Sequence, residues 1–168
     1  REAIALASTA RTLEADFTYY TDTCHEILVK LLERSPSVEN SGLGETYVSL
    51  NGLDHLYENS ASLVTSLGNA VPNQFGAQIG IGNNKFTAYL AAHLASPGGA
   101  FKTPYDKKLF ASIFPIDYLL VDPEIKKRLR LFGMERLADV ASISIGTLQS
   151  QFGITGKLIW ELSNGIDE

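Results

Sequence analysis

Ile79-Gly80-Ile81-Gly82-Asn83-Asn84-Lys85-Phe86-Thr87-Ala88 is the stretch that decides how this chain is read. The alternation at its start predicts a strand over the end of Gln74 to Gly82. Asn83 then begins a helix through Ala95, with Asn83 or Asn84 as its cap, because an asparagine side chain accepts a backbone N–H left open in a first turn. Phe86, Leu90 and Leu94 recur at the spacing of one buried helix face. Ser96-Pro97-Gly98-Gly99 closes that helix and is the best candidate for a linker. Gly80 and Gly82 also invite comparison with a dinucleotide-binding fingerprint. The third glycine would fall at Lys85, and no parallel βαβ unit is expected there, so the glycines are read as shaping a strand end.

Toward the N-terminus, Arg1 to about Arg11 is Ala-rich and reads as a helix or the end of one. Ala15 to Tyr20 is aromatic and reads as extended. Thr21 or Asp22 is the expected cap of a helix from about Thr23 to Arg34, with Ile27, Leu28, Leu31 and Leu32 on its buried face. Ser35-Pro36 ends it, since proline cannot continue the backbone ladder. Two strand candidates follow, Ser37 to Leu43 and Glu45 to Leu50, then a turn at Asn51-Gly52 and a helix from Leu53 to about Asn69.

Toward the C-terminus the texture changes. Tyr105 to Glu168 has no good strand and several short helical patterns. Asp122-Pro123-Glu124 starts a helix, with Asp as cap, Pro in the first position and an acid near the positive end. Phe132-Gly133 ends it, and further turns are expected at Gly146, Gly153 and Gly156.

The chain has 168 residues, 45% of them hydrophobic, so one ordinary domain or two small ones with a packed core are within reach. No apolar run reaches the length of a membrane span. A first residue Arg1, with no Met and no signal pattern, is expected of a piece of a longer chain. The single cysteine, Cys24, excludes an internal disulfide and suits a reducing cytoplasm. A net charge of -5 does not announce a nucleic-acid binder, but Lys126-Lys127-Arg128-Leu129-Arg130 is locally basic. His25, His55 and His93 are scattered without metal-ligand spacing, and no Ser-His-Asp or Cys-His arrangement is discernible.

Three stretches, in order, resemble Y-family (translesion) DNA polymerases. Ser35-Pro36-Ser37-Val38-Glu39 running on through Glu45-Thr46-Tyr47-Val48 is similar to the family's palm strand pair. The Ile79 to Ala88 stretch is similar to its strand-to-helix turn. Leu129-Arg130-Leu131-Phe132-Gly133 and Leu137-Ala138-Asp139-Val140 resemble its thumb helices. Gly42-Leu43-Gly44-Glu45 resembles the ImuB-like branch, polymerase-related accessory proteins of damage-induced mutagenesis with a decayed metal site. The resemblance implies an α+β chain: partial fingers and palm at 1–100 (a ferredoxin-like, mostly antiparallel sheet under covering helices, first strand missing), then an all-helical thumb at 101–168 with helix-hairpin-helix-like elements.

What the resemblance implies for function is a DNA-repair protein acting as a non-catalytic accessory factor. Family palms hold two Mg²⁺ ions on three carboxylates, and magnesium demands such ligands in tight geometry. Here Glu45 is retained, Gly44 stands beside it and Ser49 follows on the same strand. Glu45 is therefore the remnant of a catalytic and metal site, or an ordinary edge-strand glutamate. Lys85 is the expected nucleotide contact, or a solvated lysine. The expected DNA-backbone contacts are Lys126, Lys127, Arg128, Arg130, Gly153, Gly156 and Lys157, with a solvated charged face as the alternative for the basic run. At the other hairpin position, Leu120-Val121-Asp122-Pro123-Glu124, proline removes a donor and two acids repel phosphate. Expected partners are DNA, held weakly by its backbone, and mutasome proteins of the parent, with no membrane. No cofactor is expected in this fragment, and Mg²⁺ only in an active parent. The competing readings are an active translesion polymerase with a divergent metal site and a plain helix-hairpin-helix DNA-binding module.

Overall fold

The computed structural model describes residues 13–53, 55–57 and 59–167. The helix expected over Arg1 to Arg11 lies outside them. The chain divides into two compact units, 1–57 and 58–168.

The first unit holds α1 (Phe17–Leu32) and an antiparallel hairpin of β1 (Val38–Gly42) and β2 (Glu45–Val48). Asp16 caps α1, its carboxylate accepting from the Tyr19 N–H at 3.0 Å. This corrects the expected cap at Thr21 or Asp22 and the extended reading of Ala15 to Tyr20. A good cap lets the helix begin a full turn and a half earlier, and its Phe17, Tyr19 and Tyr20 remain exposed. Ser35 is buried, and its hydroxyl donates to the Ser49 carbonyl at 3.0 Å, tying the entry of the hairpin to its exit. The register runs Val38↔Val48, Glu39↔Tyr47, Asn40↔Thr46 and slips before Gly42↔Glu45.

The second unit opens with α2 (Ser60–Gly68). Its start is later than the expected Leu53, because Asn59 and Ser62 cap each other's backbone N–H groups. Then come β3 (Ile79–Ile81), α3 (Lys85–Leu94) and β4 (Ala100–Lys102). β3 and β4 pair in parallel, Ile79↔Ala100 to Ile81↔Lys102. A short parallel βαβ unit therefore does open at the glycine stretch, which corrects its expected absence. The described strands form two separate two-stranded pairs. Gly80 and Gly82 let α3 lie directly on β3. A Cβ on Gly80 would stand 1.9 Å from the Ala88 carbonyl oxygen, and one on Gly82 would stand 2.5 Å from the Ala88 nitrogen.

The Pro97-Gly98-Gly99 run is no linker. The Gly98 N–H donates to Ala77, the Gly99 N–H to Ser96, and the chain enters β4 at once. Beyond it lie α4 (Lys107–Ser112), α5 (Pro123–Leu131), α6 (Leu137–Ser142), α7 (Ile145–Phe152) and α8 (Ile154–Ser163). One core joins Phe86, Leu90 and Ala91 of α3 to Phe110 of α4, Leu129 of α5, Leu137 and Val140 of α6, Leu148 of α7 and Ile159 and Leu162 of α8. Within the second unit, α3 thus shares its apolar face with the helices that follow. Gly146 and Gly156, expected in turns, sit inside α7 and α8. Gly156 is needed where the helices cross, as a Cβ there would meet the Leu148 carbonyl oxygen at 2.2 Å.

Candidate nucleic-acid interface and palm remnant

Glu45 lies in the first unit, and the remaining candidate residues lie in the second. Glu45 begins β2, where its carboxylate accepts from the Tyr47 hydroxyl at 2.9 Å. Glu39 stands opposite Tyr47, so Glu39, Glu45 and Tyr47 share one face of the hairpin. Glu39 was missed in the sequence because its place on that face follows from the register alone. Gly44 has φ +85°, in the region open to glycine and strained for other residues. Among the described residues no group of three or more His, Cys, Asp or Glu side chains is arranged to hold a metal ion. The residues present do not fit a two-Mg²⁺ centre: one carboxylate is engaged by a tyrosine, and its neighbour has no side chain and a backbone shaped for the turn.

Lys85 is the first residue of α3, next to the cap Asn84, as the sequence implied. Asn84 Oδ1 accepts from the Thr87 N–H at 2.8 Å. The Phe86 N–H, however, donates to the Asp167 carboxylate at 2.8 Å. No sequence signal announced that bond, since its partners lie 81 residues apart.

The basic run lies on α5, capped by Asp122 at the Glu124 N–H, 2.8 Å. Each of its cations is engaged within the chain. Lys126 Nζ donates to the Asp117 carbonyl at 2.6 Å, Lys127 pairs with Glu124 at 3.6 Å, and Arg130 pairs with Asp117. Arg128 donates to the Gln151 carbonyl at 3.0 Å, and its guanidinium lies 4.6 Å from the centre of the Phe152 ring. Phe152 in turn meets Phe132 edge-on at 6.1 Å. The end of α5 is thereby fastened to the Gly153 turn between α7 and α8, which brings the basic run and the glycine hairpin together. Lys127, Arg128 and Arg130 stay exposed, so a phosphate can still reach them.

Gly153 has φ +60° and caps α8 without a side-chain hydrogen bond. The Gly156 N–H donates back to the Gly153 carbonyl at 3.0 Å, and Gly156 is buried. Lys157 follows on the exposed side, 3.3 Å from Glu161. A shallow depression nearby is lined by Pro115, Asp117, Arg130, Glu135 and Arg136. Both its arginines already serve as intrachain donors, Arg136 to the Ile113 carbonyl at 2.7 Å.

Two carboxyls are held below the usual aspartate value. For Asp117 the main cause is the hydrogen bond from Arg130. For Asp139 it is the backbone N–H groups of Arg136 and then Glu135, which donate at 2.8 and 2.9 Å.

The family model described as impB/mucB/samB matches residues 1–93, more than half of the chain. The chain belongs to the impB/mucB/samB family. It is a Y-family DNA polymerase-like protein. It is 26% identical over 171 residues to DNA polymerase IV of Pelotomaculum thermopropionicum, covering 99% of this chain and 42% of that one. To DNA polymerase IV of Escherichia fergusonii it is 27% identical over 173 residues, covering 99% and 51%. The chain thus spans about half the length of the curated relatives it matches. The fold is similar to a DinB-family error-prone DNA polymerase from Sulfolobus solfataricus, with TM-score 0.80, 20% identity and coverage of 99% of this chain and 52% of that one. An insertion ternary complex of Dbh DNA polymerase gives TM-score 0.78 at 20% identity, covering 99% and 51%.

Proposed function

We propose that this chain is the DNA-contacting, non-catalytic part of a translesion-synthesis protein, an accessory factor of the ImuB-like branch acting in damage-induced mutagenesis. The observation that carries this is Gly44. At the position where the family places a carboxylate, the backbone takes φ +85° and offers no ligand, and Glu45 beside it is engaged by Tyr47. One carboxylate cannot align and neutralise a phosphoryl group between two metal ions. Mg²⁺ belongs to this account only if the parent is active.

DNA is met by its phosphates. Lys126, Lys127, Arg128 and Arg130 supply charge on α5, and Gly153 opens a hairpin whose first-turn N–H groups and Lys157 face the same anion. Gly156 serves this hairpin from within, by letting α7 and α8 approach. Lys85 offers its ammonium to a nucleotide, as a vestige of the palm. By resemblance, 1–100 correspond to the palm side and 101–168 to the thumb side. The parent works in the cytoplasm with other mutasome proteins. No helix among the described residues is long and apolar enough to cross a membrane.

A second reading, an active polymerase with a divergent metal site, is favoured by the retained Glu45 and by relatives that bear the name DNA polymerase IV. The test of the first reading is duplex DNA binding across a salt series. Weak, sequence-independent binding that falls steeply with salt supports it. Binding indifferent to salt, or none at low salt, contradicts it.

A further inference from the structure

The last described residues of the chain do not trail away from α8. Gly165 turns the backbone at φ +72°, its N–H donating to Leu162 and that of Ile166 to Glu161, each at 2.9 Å. Glycine is required there on two counts. The left-handed backbone is one, and a Cβ would press on Lys107 at 2.8 Å from its Cβ and 2.9 Å from its carbonyl oxygen. The chain then reaches the head of α3. Asn84 Nδ2 donates to the Gly165 carbonyl at 2.9 Å, and the Asp167 carboxylate accepts the Phe86 N–H at 2.8 Å.

Asn84 works in both directions. Its Oδ1 caps the Thr87 N–H at 2.8 Å and meets the Thr87 hydroxyl, while its Nδ2 grips the incoming tail. The amide that would otherwise be an orphan of the first turn, Phe86, is supplied with a carboxylate, the favourable charge at that end of a helix. The tail and the turn therefore complete each other. Neither has its hydrogen bonds satisfied without the other.

We propose that residues 165–167 form a latch that closes the second unit from its far end, and that Asp167 is the positioning residue for the Lys85 turn. With the Phe86 and Thr87 N–H groups engaged by Asp167 and Asn84, the head of α3 is a sealed helix end. The latch stands whether or not Lys85 meets a nucleotide.

Amide hydrogen exchange on the whole chain, resolved residue by residue, tests it. Asp167→Ala removes the acceptor, and Asp167→Asn keeps an oxygen in place. In Asp167→Ala the Phe86 amide is expected to exchange at least about tenfold faster, with the Lys85 amide more mobile and the core amide of Leu90 unchanged. Asp167→Asn should restore most of the protection. Equal Phe86 exchange in wild type and Asp167→Ala would overturn the latch. So would an equal acceleration at Leu90, which would mean general loosening, or Asp167→Asn exchanging as fast as Asp167→Ala.

Discussion

The guanidinium of Arg128 lies 4.6 Å from the centre of the Phe152 ring while donating to the carbonyl of Gln151, the residue before it. A cation that sequence pattern assigns to DNA therefore also holds α5 against the α7–α8 hairpin. The two roles separate by substitution. Arg128→Ala should lower stability by about 1–2 kcal/mol, the loss of a cation–π contact and a charged hydrogen bond, measured by denaturant unfolding.

Lys127 is the cleaner probe of DNA binding, because its pairing with Glu124 is a surface ion pair at 3.6 Å and contributes little to the fold. Lys127→Ala should leave stability unchanged. It should weaken duplex binding uniformly across sequences and reduce the salt slope by about one. An unchanged slope would make α5 a solvated face.

The glycines of β3 make a sharper demand. Gly80→Ala forces a methyl to within 1.9 Å of the Ala88 carbonyl, which is backbone and cannot rotate away. The strand and α3 must separate, at a cost of at least about 3 kcal/mol. Gly156→Ala should behave alike, against the Leu148 carbonyl at 2.2 Å. Gly146→Ala has nothing within 4 Å and should be neutral or stabilising. Thermal unfolding of the three variants orders them.

Restoring a carboxylate at position 44 should not restore a metal site. Gly44 has open space around it, so Gly44→Asp fits sterically, but at φ +85° it is strained by about 1–2 kcal/mol. Titration with Mn²⁺, read by paramagnetic broadening of the Glu45 resonances, should show no saturable site in this variant.

Acid should unfold the protein partly through Asp117 and Asp139. Both carboxyls are held below their ordinary value in the fold. Each therefore contributes stability that is complete above the unfolded value and is lost as pH falls through the folded one. Both are well exposed, so each contribution is small. Melting temperature followed from roughly pH 5 down to 2 should fall less steeply in Asp139→Asn than in wild type.

Much of this was legible in local sequence. Asn84 beside Lys85 and Asp122 before Pro123 fixed two helix starts, because capping is a contact over two or three residues. The Phe17 turn was misread since its aromatic residues favour strands, while Asp16, a capping residue just before them, decided for helix. The parallel pairing of β3 with β4 was not legible. Three-residue strands carry too little pattern, and Gly80 and Gly82 look alike whether they end a strand or admit a helix onto it. The latch of Asp167 on Phe86 and the hold of Arg128 on Gln151 are contacts made by the fold, across 81 and 23 residues, and leave no trace in spacing.

A tyrosine-bound Glu45 beside a left-handed Gly44 should support no nucleotidyl transfer. Primer extension on a primed template, with the chain in excess, all four nucleotides and either Mg²⁺ or Mn²⁺, measures this directly. No template-dependent product is expected above a control lacking protein. Extension directed by the template, and abolished by Glu45→Ala, would contradict it and establish the chain as an active polymerase.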